Sequence, residues 1–292
     1  MDNTRGSLMM VLAMAGFALE DMFIKSAAAM LPAGEIMLLF GLGGMLIFCA
    51  LTLRRGEALL PRAAFSRAMG IRAVCEITGR LGYTLAIALA PLATASAILQ
   101  ATPLVVAMGA ALFFGEQVGW RRWTAIFVGF AGVLLVLRPG VDGFAPSTLF
   151  ALVGMLGFAG RDLATRAAPP ALSHMQLGIY GFFMLIPAGL IALAFSGGLV
   201  LPTLLVSAQL TGATVIGVYA YYALTVAMRS GEVSVVAPFR YTRLVFALVL
   251  AVLVFGERPD MLTLVGSSII VLSGLYSLFR DKRARRRAKA PV

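Results

Sequence analysis

Glu76 and Arg80 stand four residues apart inside one long apolar run, and Arg240 and Arg243 stand three apart inside another. At those spacings each pair shares a helix face. A guanidinium offers parallel N–H donors that match a carboxylate, so Arg80 and Arg240 are candidates for holding the carboxylate of a small solute. Arg80 has a second reading, an ion pair with Glu76 that fastens the fold and touches no solute. Tyr83 follows Arg80 by three residues, and Tyr219, Tyr221, Tyr222 and Tyr241 fall well inside later apolar runs. Rings at such positions either line a pocket, stacking on an aromatic solute and bonding its polar groups, or form an interfacial belt. Tyr83, Gln100, Tyr222 and Tyr241 therefore join Arg80 and Arg240 as candidate substrate-binding residues. Ionisable groups inside a membrane are costly and point to function. Asp21, Glu76 and Asp162 are candidates for gating or proton coupling, with a helix-end role open for Asp21 and Asp162.

Other chemistry is excluded by what is missing. His174 is the single histidine, and Cys49 and Cys75 the two cysteines, both in apolar segments. No His-paired nucleophile, multi-histidine metal site, disulfide framework or Gly-rich phosphate loop can be assembled from these residues. The reading is not an enzyme, with no catalytic residues, no metal and no cofactor.

The elements that must position these side chains follow from composition. Of 292 residues 60% are hydrophobic and 13% charged, where a soluble domain carries about 25% charged residues. The charges cluster between apolar stretches long enough to span a bilayer. Glycine, proline and charge punctuation predicts ten spans, at 6–26, 33–53, 68–90, 93–114, 120–138, 147–167, 174–196, 205–228, 233–255 and 260–280. The first resembles a signal peptide, but Glu20, Asp21 and Lys25 interrupt its end, and it reads as a retained span. With the N-terminus in the cytoplasm, the inner connections and tails hold seventeen basic residues, Arg72 among them, against Lys25, Arg138 and Arg258 outside. The positive-inside rule thus places both termini in the cytoplasm. More than half of the net charge of +11 lies in the tail after Phe279. A polybasic run after a membrane helix is expected to meet anionic lipid rather than nucleic acid.

Two motifs recur at a fixed offset. Met14, Gly16, Phe17, Ala18 and Asp21 return as Met155, Gly157, Phe158, Ala159 and Asp162, an offset of 141 residues. Ala110, Leu112, Phe114, Gly115 and Glu116 return as Ala251, Leu253, Phe255, Gly256 and Glu257 at the same offset. Five spans per copy is an odd number, so the copies enter the membrane oppositely. The expected fold is an all-α membrane protein of two inverted five-helix repeats, 1–140 and 141–280, with a basic tail at 281–292. Inverted repeats supply two exchangeable states, open inward and open outward, and so point to a secondary transporter. Gly154, Gly157 and Gly160 line one side of span six and suit close helix packing. Glu116 and Glu257 are read as structural, each complementing the N-terminal end of the helix that follows it.

Ten spans in two repeats, Phe114-Gly115-Glu116 and Phe255-Gly256-Glu257, and the run from Ala90-Pro91-Leu92-Ala93-Thr94-Ala95 through Thr102-Pro103-Leu104 resemble the drug/metabolite transporter superfamily, EamA branch. The second half departs from the pattern, because Leu244 stands where the offset expects a partner for Pro103. The resemblance covers about residues 7–280. It implies a bacterial inner-membrane exporter of amino acids and related small compounds, with a pocket between the repeats. Within the superfamily the chain looks most like the aromatic amino-acid exporters. The alternative is a nucleotide-sugar or broad drug and metabolite carrier.

Overall fold

The structure, a computed structural model, describes residues 3–115, 119–138, 145–167, 169, 171–196, 198–230 and 236–289. Among them every regular element is helical. The helices are α1 (Asn3–Ala27), α2 (Ala33–Arg54), α3 (Arg67–Leu89), α4 (Leu92–Leu99), α5 (Thr102–Phe114), α6 (Trp120–Leu137), α7 (Leu149–Arg166), α8 (His174–Phe183), α9 (Leu185–Ser196), α10 (Leu204–Ser230), α11 (Thr242–Phe255) and α12 (Met261–Lys289). Among the described residues seven stretches are long and apolar enough to cross a membrane, counting α4–α5 and α8–α9 as one each. α3 falls outside that set because Arg67, Arg72, Glu76 and Arg80 interrupt it, and the apolar portions of α6 and α12 are shorter.

Local chemistry sets the ends. Ser66 accepts from the Met69 amide at the start of α3. Ser173 and Gln176 form a reciprocal capping box at the start of α8, satisfying two otherwise orphaned amides. Gly115 and Gly256, related by the offset of 141, end α5 and α11 with φ of 63° and 62°. That left-handed conformation is open to glycine at no steric cost.

Besides the turn at Met184 that parts α8 from α9 in the seventh, two predicted spans carry breaks that the sequence reading left continuous. The fourth is interrupted at Gln100–Ala101, where α4 gives way to α5. The ninth opens as a 3₁₀ turn over Ala237–Tyr241 before α11. Under the offset, Gln100 corresponds to Tyr241, so the breaks occupy matching places. Irregular backbone at membrane depth is tolerated where it is buried in protein or lines a cavity. Here the two breaks satisfy each other in part: the Gln100 side-chain amide donates to the Arg240 carbonyl at 3.1 Å.

The most extensive packing pairs are α3 with α7, α1 with α10, α6 with α12, and α2 with α8 and α9. Small residues bring the first pair close. A Cβ built on Gly154 would lie 2.8 Å from the Tyr83 amide nitrogen, and one on Gly82 would lie 2.6 Å from that of Gly154. Gly160 meets Cys75. The stripe seen in span six is therefore a packing face toward α3. Within a mostly apolar core, α1, α3, α7 and the segment from Ala237 into α11 enclose a cluster of charged residues.

Candidate ionic site

Glu76 is the hub. Its carboxylate, 2% exposed, meets Arg80 at 3.4 Å, Arg161 at 3.4 Å and Arg72 at 3.5 Å. Arg80 also reaches Glu20 at 3.4 Å. Arg161 binds Asp162 at 2.8 Å, and Asp162 lies 4.0 Å from Arg240. On the other flank, Arg243 binds Asp21 at 2.7 Å. Tyr83 donates to Asp21 at 3.0 Å and lies 3.4 Å from the Ser96 hydroxyl. Arg72 is further held by Thr165 at 3.0 Å.

The guanidiniums rest on rings as well as carboxylates. Arg161 stands 4.7 Å from the Phe158 centroid, and Arg243 stands 5.2 Å from that of Phe17. Such faces attract cations in a medium that solvates them poorly. Glycines make room for the acids: a Cβ on Gly217 would lie 2.8 Å from a Glu20 carboxylate oxygen. Among the described residues, with all groups ionised, five arginines face four carboxylates, which leaves the cluster one positive charge in excess.

The network is graded in exposure. The Glu20, Asp21 and Glu76 side chains are buried, whereas Asp162 is 26% and Arg240 is 35% exposed. The most exposed part of the network is thus Asp162 and Arg240, which form its longest ion pair. Arg240 sits on the 3₁₀ turn, held there through its carbonyl by Gln100.

The predicted residues are placed unequally. Asp21, Glu76, Arg80, Tyr83, Asp162 and Arg240 come together, and Gln100 joins through the backbone. The Arg80–Glu76 pair is present, extended to Glu20. Tyr83 turns its hydroxyl to Asp21 rather than to open space. Tyr241 is buried, with its hydroxyl against Gly274 of α12 and no hydrogen-bond partner among the described residues. Tyr222 is outside the network and lines a separate cleft. Tyr221, one position earlier, points inward and packs edge-on against Phe48 at 5.4 Å.

Two sequence assignments need correction. Arg72 was counted among the arginines of a cytoplasmic connection; it is 3% exposed inside α3 and pairs with Glu76. Its i, i+4 relation to Glu76 was the available signal. Glu257 does not serve the helix after it. Its carboxylate accepts from the amides of Leu92 at 2.7 Å and Ala93 at 3.1 Å, the first residues of α4. Lys25 lies 3.4 Å from it and donates to the carbonyls of Ile87 and Ala90 at the end of α3. An acid at a helix start and a base at a helix end both complement the backbone dipoles there. Glu116 and the side chains of the basic tail lie outside the described residues.

A helical bundle with several membrane-length apolar stretches around a buried ionic core is a multi-pass membrane protein. The EamA-like transporter family matches residues 4–138 and again 146–279. The chain belongs to that family, and so is a transporter rather than an enzyme. It is 28% identical over 214 residues to an S-adenosylmethionine uptake transporter of Rickettsia bellii, covering 73% of each chain. It is 29% identical over 282 residues to the pseudopaline exporter CntI of Pseudomonas aeruginosa, covering 95% of this chain and 97% of that one. A riboflavin transporter of Rhizobium johnstonii is 26% identical over 216 residues, 74% of this chain and 71% of the relative. One solved crystal structure superposes with a TM-score of 0.63 at 16% identity, over 94% of this chain and 98% of that chain. These relatives are named for other cargoes than aromatic amino acids, so the family is established without that branch.

Proposed function

We propose that this protein is an alternating-access carrier of small metabolites bearing both a carboxylate and an ammonium group, broader in range than an aromatic amino-acid exporter. The observation that carries this reading is the Asp162–Arg240 pair. It is the longest and most exposed ion pair of the network, and it sits at a helix break. A zwitterion entering there replaces one long pair with two short ones, carboxylate to Arg240 and ammonium to Asp162. The excess positive charge of the cluster favours the carboxylate contact.

The chain is read as ten spans in two inverted repeats, in a bacterial inner membrane with both termini inside. Supporting this are the double family match and the matching breaks. On that orientation the more exposed end of the network, at Asp162 and Arg240, faces the cytoplasm, while the Lys25–Glu257 contact closes the outer side. Relatives named for S-adenosylmethionine, riboflavin and pseudopaline span different cargoes and favour a broad carrier. Since they include both an uptake transporter and an exporter, the architecture is taken to supply exchange between two states rather than a fixed direction.

The test is counterflow in proteoliposomes loaded in turn with phenylalanine, threonine and a uridine-diphosphate sugar. Phenylalaninamide and phenylpropionate, each lacking one charge, serve as competitors. Exchange of the amino acids, with weak competition by both analogues, is the expected result. Arg240→Gln should raise KM by about 10- to 100-fold, the loss of one charge-assisted contact. Exchange of the nucleotide sugar alone would move the protein to the alternative branch.

A further inference from the structure

Tyr222 lines a cleft of about 400 Å³ together with Ile47, Leu51, Arg55, Val215 and Tyr219. Ile47 and Leu51 of α2 and Arg55, which caps its C-terminus, follow at four-residue steps, and the others descend α10. The cleft runs from mid-helix to the C-terminal end of α2, where Arg54, Arg55, Arg62 and Arg67 gather. None of its lining residues belongs to the ionic network, and Phe48, fully buried, packs against Tyr221. Leu46 and Leu53, exposed on α2, and Val215 on α10 present apolar surface around it. Since α2 and α10 are both long and apolar enough to cross a membrane, hydrocarbon is the medium expected on that side.

Three polar groups in this apolar cleft stand out. Tyr219 and Tyr222 are half exposed. Neither hydroxyl, nor the Arg55 guanidinium, has a hydrogen-bond partner among the described residues. In hydrocarbon such groups are costly unless something supplies acceptors. The occupant must therefore carry an anion at the interface, acceptor oxygens just below it, and a long apolar body.

We propose that this cleft binds one anionic phospholipid from the leaflet on the arginine-rich side. Its phosphate lies against Arg55, its ester carbonyls accept from Tyr219 and Tyr222, and an acyl chain lies along Ile47, Leu51 and Val215. A compact solute meets the first requirement and not the last. The site is separate from the ionic cluster and does not depend on what the carrier moves.

The experiment is native mass spectrometry of the purified, delipidated full-length protein titrated with phosphatidylglycerol or phosphatidylcholine. The variants are Arg55→Ala, the double Tyr219→Phe/Tyr222→Phe, and Leu51→Trp, which fills the groove without changing charge. A fourth, Arg283, Arg285, Arg286 and Arg287 all to Ala, removes the basic tail's own attraction for anionic lipid. One phosphatidylglycerol should bind distinctly tighter than the rest to the wild type and the tail variant. Arg55→Ala should weaken it about tenfold, the loss of one charge-assisted contact; Leu51→Trp should displace it, and phosphatidylcholine should bind more weakly. Counterflow should survive in all variants that keep the wild-type elution profile. Unchanged lipid affinity in both Arg55→Ala and Leu51→Trp overturns the proposal. So does loss of the tight lipid in the tail variant alone. Loss of counterflow in Leu51→Trp with lipid still bound overturns it too, by making the cleft a solute portal.

Discussion

Replacing Glu257 by Gln tests whether its contact with α4 is an outer gate. The carboxylate accepts two backbone amides, from Leu92 and Ala93, and faces Lys25. A Gln side chain keeps one acceptor oxygen, so one of the two amides loses its partner. An orphaned buried donor costs about 1–3 kcal/mol. Lys25 retains the Ile87 and Ala90 carbonyls, so losing its partly exposed ion pair adds at most about 1 kcal/mol. The contact exists only while the start of α4 abuts the end of α11, so the whole loss falls on the closed state. A shift of about 2 kcal/mol changes the closed-to-open ratio about 30-fold. Ser96, one turn into α4, is 1% exposed and reports opening once replaced by Cys in a Cys49→Ala/Cys75→Ala background. A membrane-impermeant maleimide added outside should label this Cys about 30-fold faster when Glu257→Gln is present. Counterflow with a normal elution profile shows that the variant is folded. If labelling proceeds at the parental rate in such a protein, Glu257 is a fixed brace and the gate is elsewhere.

Three further outcomes follow from the same geometry. Glu76→Gln leaves Arg72, Arg80 and Arg161 short of their common carboxylate and should destabilise the protein by about 3–5 kcal/mol. The double variant with Arg161→Gln should recover part of that in thermal unfolding. Gly154→Ala forces a methyl to within 3 Å of the Tyr83 backbone and should lower the unfolding midpoint, at a cost of about 1–3 kcal/mol. Between α6 and α12, the hydrogen bond from Arg138 holds the Asp260 carboxyl well below its ordinary range. A lowered folded-state value means that this pair's stabilisation is complete above the unfolded carboxyl value of about 4 and fades as pH falls through the lower one. Melting curves of the wild type and Asp260→Asn should therefore differ by a constant amount between pH 5 and pH 8 and converge only under strong acid.

Positions along the chain were readable because charge, glycine and proline punctuate a hydrophobic sequence wherever the chain leaves the apolar phase. The observed helices start and stop within a few residues of those marks, from α2 at Ala33–Arg54 to α10 at Leu204–Ser230. The breaks at Gln100 and at Tyr241 left a weaker trace. Pro103 and Pro238 stand beside them, but a proline at a helix start and one beside a mid-span break look alike in one dimension.

Facing was the harder property. In a soluble helix the polar face marks the outside; in lipid both faces are apolar, and periodicity is nearly silent about which side meets protein. Tyr221 and Tyr222 illustrate this, since neighbours on a helix point about 100° apart and one meets the inner wall while the other lines the lateral cleft. Charges escape the ambiguity, because hydrocarbon forbids them the lipid side. That is why the ionic candidates Asp21, Glu76, Arg80, Asp162 and Arg240 converged, while of the tyrosines only Tyr83 joined them and Tyr222 and Tyr241 dispersed. What the charges did not disclose was their partners. Glu257 meets α4 across 165 residues and Arg243 meets Asp21 across 222, separations that no local spacing encodes. Only the offset of 141 brings such partners into one frame: it sets the break at Gln100 against the break at Tyr241, and the bond from Gln100 to Arg240 joins one to the other. A solute anchored at Arg240 therefore rests on backbone that the other half of the chain holds in place.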